Sequence, residues 1–352
     1  MAREVKSQLD KKYGSSVIYN LDRETQTGLK KLINRRKAGE IVVFETDKSS
    51  KLTVDNSSNY DLKMAPHLVG TDIDMEEVEC IEKEMNSRAI VWKRITNLAM
   101  SWGHDDRVGE ALNSTSGRPP VLYGLVKDHK VVPQGEDPPV RPVCGANVGP
   151  TAKHSSQMAE IIDPFNHEIA GECWVESTEE LLAWIEKFND GNNREELEMF
   201  SNDAKALFPS IIIELTVQAV RTVITESRLE LKNLDGIEIS RFLALCLTEE
   251  EINELGIQEF VMKRIHPNAK KLKMTGKEML TPWDEAKSCL TRAVLVPNEA
   301  QTKQLFAIAV SEEVRYIMAN HPYKCKDRVL KQSEGGSIGS ILTLFWLRHA
   351  CC

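Results

Sequence analysis

Four short segments hold most of the residues that could do chemistry: DKSSK (47–51), LYGLVKDHK (122–130) with PPVRPVCG (138–145), FSNDAKALFPS (200–210) and QSEGGSIGS (332–340). Asp203 follows the apolar Met199-Phe200 and stands where a strand meets a turn, a position suited to a metal-binding carboxylate. Copying a template needs such groups. A primer 3′ hydroxyl attacks an α-phosphate while two metal ions, about 3.5–4 Å apart, stabilise the attacking and leaving oxygens. Arg141, as a planar fork, and Lys48 or Lys51, as point charges, are suited to neutralising a triphosphate. Gln332, Gly335, Gly336, Gly339 and Ser340 form a glycine-rich loop on a Q-x-x-G-x-x-x-G-S frame, which lets backbone approach a template or nucleotide closely. Lys127, His129 and Lys130 are candidate template contacts.

Each residue alone has a plainer reading. Asp203 could cap a helix, Phe208 could be an ordinary core aromatic, and the lysines and arginine could be solvated charges. The glycine-rich loop could be a flexible hairpin. What outweighs these readings is the order of the segments along the chain, which is the order a template-copying polymerase requires.

Elements able to position them are legible nearby. Strand signals cover 40–47, 121–127, 141–146 and 199–208, each preceding or carrying a candidate residue. Helical periodicity runs from Met75 to Met100 through Val78, Ile81, Met85, Ile90, Ile95 and Leu98, and again over Thr178–Phe188. Further helices are expected at Glu214–Thr225, Ser240–Leu247 and Thr302–Ala319, the first two with capping residues at their starts. Proline and glycine between 117 and 150 mark loops joining strands. The mixture reads as α+β.

With 352 residues, 41% hydrophobic and 28% charged, the chain can bury one large core or two ordinary ones. Eight cysteines show no CxxC pair and read as reduced thiols. No apolar run reaches the roughly 20 residues of a membrane span and the N-terminus lacks an apolar leader, so an intracellular location is expected. A net charge of −8 opposes indiscriminate nucleic-acid coating. Residues 1–51, however, hold twelve Lys or Arg against seven Asp or Glu, which allows a basic groove on an acidic body.

Taken together, the segments resemble those of the reverse transcriptases of Penelope-like retroelements, which run as a DK-G-rich strand, YGLPKIHK, PLRPIVS, DVKSLF and Q-x-x-G-x-x-M-G-S. The resemblance spans about Asp47 to Ser340. Val126 replaces a proline, Asn147 and Val148 stand where a serine-rich turn is common, and 227–297 reads as an insertion.

The resemblance implies an RNA-directed DNA polymerase with two Mg²⁺ ions, an RNA template, a DNA primer and deoxynucleoside triphosphates. Asp203 would be the metal ligand and Phe208 the sugar gate that excludes a 2′ hydroxyl. It implies a right-hand fold, fingers and part of the palm, with an N-terminal helical extension. Residues 1–120 would form the extension and fingers entry, and 121–352 an incomplete fingers-palm region. Nuclear localisation is implied as well.

The family's second carboxylate pair, an aromatic-x-Asp-Asp hairpin, is expected after the glycine-rich loop. The sequence ends at Cys352 without it, and the only Asp-Asp pair, Asp105-Asp106, precedes Asp203. The chain is therefore expected not to polymerise as it stands. The alternative is a non-catalytic nucleic-acid-binding remnant retained by its host.

Overall fold

A computed structural model describes residues 22–49, 51–95, 117–128, 133, 137–145, 148–170, 175, 177–190, 208–231, 234–261, 295–332 and 334–336. The architecture is α+β. The chain divides into two compact units, one spanning Met1–Leu68 and Gly124–Arg141, the other Val69–Tyr123 and Pro142–Cys352.

In the first unit, helix α1 (Arg23–Lys37) is capped by Asp22, whose carboxylate accepts from Thr25 N at 2.7 Å. A hairpin follows, β1 (Ile41–Glu45) antiparallel to β2 (Leu52–Asn56), with Val43 opposite Val54. Helix α2 (Ser57–Met64) then crosses beneath β1, setting the Tyr60 ring 5.0 Å from Phe44. Strands β4 (Leu122–Val126) and β5 (Val140–Cys144) pair with each other, and the unit boundary falls within both. Gly124 is tightly enclosed in β4. A Cβ there would lie 2.6 Å from Met64 Sδ, and its N–H donates to Tyr60 Oη at 2.6 Å.

The second unit is mostly helical. Helix α3 (Met75–Ile95) begins at Asp74, which accepts from Glu77 N, and carries Glu76 and Glu77 in its first turn and Lys93 and Arg94 in its last, as the helix dipole favours. Its buried face steps through Val78, Ile81, Met85, Arg88, Trp92 and Ile95, alternating three and four residues. Ile90, expected on this stripe, is 51% exposed. That face packs with α4 (Ala152–Ala170), α6 (Ile213–Glu226), α7 (Gly236–Cys246) and α10 (Glu299–Ala319) around Trp92, Phe165, Phe242 and Phe306. Trp92 meets Phe242 edge-on at 5.2 Å. Between α4 and α6 lies α5 (Thr178–Asp190), and after α7 come α8 (Glu249–Glu254) and α9 (Gln258–Val261).

The antiparallel sheet of this unit runs β3-β7-β6, from β3 (Thr71–Ile73), β7 (Arg328–Lys331) and β6 (Pro322–Cys325). Gly70, at φ +140°, passes so close to Lys331 that a Cβ would lie 2.3 Å from its carbonyl oxygen.

One polar cluster interrupts the helical core. Arg88 contacts Glu84 at 3.1 Å and Glu313 at 2.8 Å, and its guanidinium carbon sits 3.9 Å from the Tyr316 ring centre. His154 Nδ1 lies 3.0 Å from the other oxygen of Glu313. Burial alone would raise the Glu313 carboxyl, but Arg88 and His154 override it and hold it down at about 2. Nearer the sheet, burial pushes the imidazole of His321 down to about 4, beside Thr151 Oγ1 at 3.1 Å and Cys144 Sγ at 3.7 Å.

Among the described residues, no helix is long and apolar enough to cross a membrane.

Candidate functional site

The hairpin loop between β1 and β2 is closed by its own backbone and one hydroxyl. Thr46 N donates to Lys51 O at 2.8 Å, and Lys51 N donates to Thr46 Oγ1 at 3.0 Å. Lys48 takes φ +68°, the left-handed region in which a side chain is disfavoured. A lysine held there is local strain of the kind that gathers at functional loops. Both Lys48 and Lys51 are exposed.

Asp47 is buried at the base of this loop. Its N–H donates to Val126 O at 2.7 Å, its Oδ1 lies 3.3 Å from Arg141 Nη1, and its Oδ2 has no hydrogen-bond partner among the described residues. Ser49 Oγ donates to Asp128 and also bonds Thr46 Oγ1. Thr46 and Val126 form a parallel bridge, which continues β1 alongside β4, and Lys127 N donates to Pro139 O at 2.9 Å. The structure thus joins DKSSK, the described part of VKDHK and VRPV through named contacts inside one unit, although they are separated by up to 94 positions along the chain.

The charges at this junction are mixed. Lys48, Lys51, Lys127 and Arg141 share these segments with two carboxylates, Asp47 and Asp128, and Arg141 pairs with Asp47. Arg141 remains 44% exposed, with Asp47 engaging one edge of a guanidinium that carries five donors. Lys127 is half-buried, and after burial itself its charge is the second cause that lowers the nearby His67 imidazole. A part-exposed guanidinium anchored on a buried carboxylate suits a polyvalent anion, because the anchor limits the freedom that a bare arginine would lose on binding.

A second junction forms in the other unit. Phe208 opens a single 3₁₀ turn, Phe208–Ser210, and its carbonyl accepts from Gly336 N at 2.7 Å. Gly335 takes φ +73°, and Gly335 and Gly336 are both buried. Gln332 N donates to His321 O at 3.1 Å while its side chain donates to Glu334 O at 2.8 Å, folding the loop back on itself. Of the strand expected over 199–208, residues 199–207 lie outside the described residues, and Phe208 opens a 3₁₀ turn rather than a strand. The described start of the glycine-rich loop meets the end of the ALFPS segment through a backbone hydrogen bond.

Asp203, His129, Lys130, Gly339 and Ser340 lie outside the described residues. Among the described residues no group of three His, Cys, Asp or Glu side chains could hold a metal ion. The sequence left one functional side chain without a role: Asp47, the anchor of Arg141, sits inside a quoted motif. Its burial after the apolar run IVVFET was the available signal.

No protein-family model matches this chain, and no curated protein or solved structure matches it.

Proposed function

We propose that this chain is an RNA-directed DNA polymerase domain of the Penelope-like type, with a right-hand fold. Lys48, Lys51 and Arg141 are its triphosphate-handling residues, and the family resemblance gives Phe208 the role of sugar gate and the Gln332–Ser340 loop that of template loop. Asp203 would be a ligand of the catalytic Mg²⁺. The observation that carries the reading is the joining of DKSSK to VRPV through Asp47 and Arg141, at 3.3 Å. Two segments chosen on sequence as phosphate-handling, DKSSK and VRPV, are joined by this contact, and Ser49 joins the first of them to Asp128 in the segment chosen as a template contact. The hydrogen bond between Gly336 and Phe208 supports it independently, because sugar gate and template loop must be neighbours.

The test separates binding from turnover. A DNA primer blocked with a dideoxy terminus and annealed to an RNA template is bound to the purified chain with Mg²⁺, and the next matching deoxynucleotide is titrated in. The expected result is saturable binding of the matched deoxynucleotide, weakened about tenfold by Arg141→Ala. Phe208→Ala should bring the ribonucleotide closer to the deoxynucleotide. Equal, weak binding of matched and mismatched nucleotides would remove the polymerase reading and leave nucleic-acid binding without turnover.

A further inference from the structure

We infer that a shallow groove along α1 is a second nucleic-acid contact, one that holds the phosphodiester backbone rather than a nucleotide. The inference rests on the polymerase reading only in that it presumes a nucleic-acid partner.

Helix α1 carries six basic residues against one acidic residue in a chain whose net charge is −8. Part of this has a structural reason. Arg35, Arg36 and Lys37 lie in the last turn, where cations favour the helix dipole, and Arg35 also pairs with Glu40 at 3.0 Å.

Arg23, Lys30 and Lys31 have no such reason. Arg23 is the first helical residue, where the dipole is positive and a cation is unfavourable. None of the three makes an ion pair among the described residues. Gly28 breaks a second local rule. A glycine inside a helix weakens it relative to alanine, yet a Cβ here would meet nothing within 4 Å, so packing does not demand glycine.

Both departures fall at the same place. Arg23, Glu24, Thr27, Gly28 and Lys31 line one open groove. Sequences that break local rules tend to do so at sites of function. The missing side chain at Gly28 leaves room for a phosphate between Arg23 and Lys31, whose charged groups are its donors, while the Thr27 hydroxyl is spent on Arg23 O at 2.7 Å. Glu24 also lines the groove. Its charge disfavours a lone small anion more than an extended polymer, which engages several cations along the helix.

The competing occupant is an anionic membrane surface. Leu29, Leu32 and Ile33 are 39–48% exposed, but at about 100° per residue they fall on the side of α1 away from Arg23, Thr27 and Lys31. A helix inserted by that apolar side would turn the groove toward water, so one bilayer cannot engage both. The groove also belongs to the same compact unit as Lys48, Lys51, Lys127 and Arg141.

The experiment measures binding of the full chain to a single-stranded RNA 20-mer across a salt series, for wild type, Gly28→Ala and the double variant Arg23→Glu/Lys31→Glu. The double variant should bind about tenfold more weakly or worse. Its slope of log affinity against log salt should be shallower by about 1.4, at roughly 0.7 per lost phosphate contact on a single strand. Thermal melting guards against misfolding, since Arg23→Glu and Gly28→Ala should each leave the melting temperature unchanged or raise it. An affinity and slope equal to wild type in the double variant would overturn the groove while leaving the polymerase reading intact. Failure of the wild-type chain to retain RNA at all would overturn both. If phosphatidylserine vesicles bind wild type but not the double variant, while RNA binding is unaffected, the groove is a membrane contact and the inference fails.

Discussion

Arg88 and Arg141 have the same side chain and both pair with carboxylates, yet they belong to opposite kinds of site. Arg88 is buried, held by Glu84, Glu313 and the face of Tyr316. Arg141 is 44% exposed and has one ion-pair partner among the described residues, Asp47 at 3.3 Å. A guanidinium surrounded by protein acceptors in the core serves to fix helices against each other. One anchored along a single edge at the surface keeps donors available for a ligand. The comparison shows that the number of protein partners and the exposure of an arginine, rather than its presence in a motif, separate a structural role from a binding one.

The sharpest way to break this contrast is to remove each guanidinium. Arg88→Met leaves Glu84 and Glu313 buried without their cation, and loss of one partner from a buried pair costs about 3–5 kcal/mol. Arg141→Ala removes a guanidinium that is 44% exposed but leaves the buried Asp47 without its cation, so its cost should exceed that of a fully exposed pair and stay below that of Arg88→Met. Urea unfolding of both variants measures the two costs. Similar costs would erase the distinction between the two sites.

Acid is the next probe, because two buried groups of the helical unit, His321 and Glu313, are held below their ordinary values. His321 has a folded-state value depressed from 6.5 to about 4, so its contribution is complete above pH 6.5 and is lost as pH falls through 4. Glu313 is depressed from 4.5 to about 2, so its contribution is complete above pH 4.5 and is lost as pH falls through 2. Each displacement corresponds to on the order of 3 kcal/mol. The groups facing Glu313 are Arg88, Glu84 and Tyr316, with His154 from α4 and Cys246 from α7. Stability by urea unfolding should therefore hold near neutrality and decline in two stages, the upper one beginning near pH 6.5. His321→Gln should remove the upper stage and keep the lower. A flat profile from pH 7 to 4 would mean that His321 is not held neutral by the fold.

What the sequence made legible follows the same division between local and distant physics. Strands β1 and β4 lie within the segments read as strands, and β5 begins one residue before its expected start at 141, because their apolar runs are short and bounded by turn residues. Helix α10 runs Glu299–Ala319, three residues earlier than expected at its start, because Asn298 and Gln301 form a capping box that the apolar pattern does not reveal. Helix α6 runs Ile213–Glu226, near its expected span, but Ile212 gives it no side-chain cap.

The buried face of α3 was half read. Its spacing passes through position 88, and a purely apolar stripe skips an arginine and settles on Ile90 instead. Glu84, one turn earlier, is a partner that local spacing offers, but Glu313, 225 residues later, is one that no local pattern announces. Likewise β3 pairs with β7 across 256 to 260 positions, a distance at which neither strand's own three or four residues carry a readable signal. Of the candidate site, the residue types were legible and the anchor was not. Asp47 matters because of Arg141 and Val126, both of which reach it only through folding.

The smallest expected effect tests the surface side of the comparison most finely. Lys48 holds φ +68°, a conformation that costs an L-residue about 1–2 kcal/mol and glycine almost nothing. Glycine gives back roughly 0.5–1 kcal/mol through the greater freedom of the unfolded chain. Lys48→Gly should therefore raise stability by about half a kcal/mol. If the strained lysine is kept for its charge, the same substitution should weaken nucleotide binding to the blocked primer–template complex, by less than Arg141→Ala does, because an exposed point charge on a loop contributes less than an anchored fork. A variant that is more stable and binds the nucleotide as well as wild type would show that Lys48 belongs with the ordinary solvated lysines, leaving Arg141 and its buried anchor to carry the site. A variant that is more stable and binds less well would tie the backbone strain to ligand binding, the signature of a loop shaped for a ligand rather than for the fold.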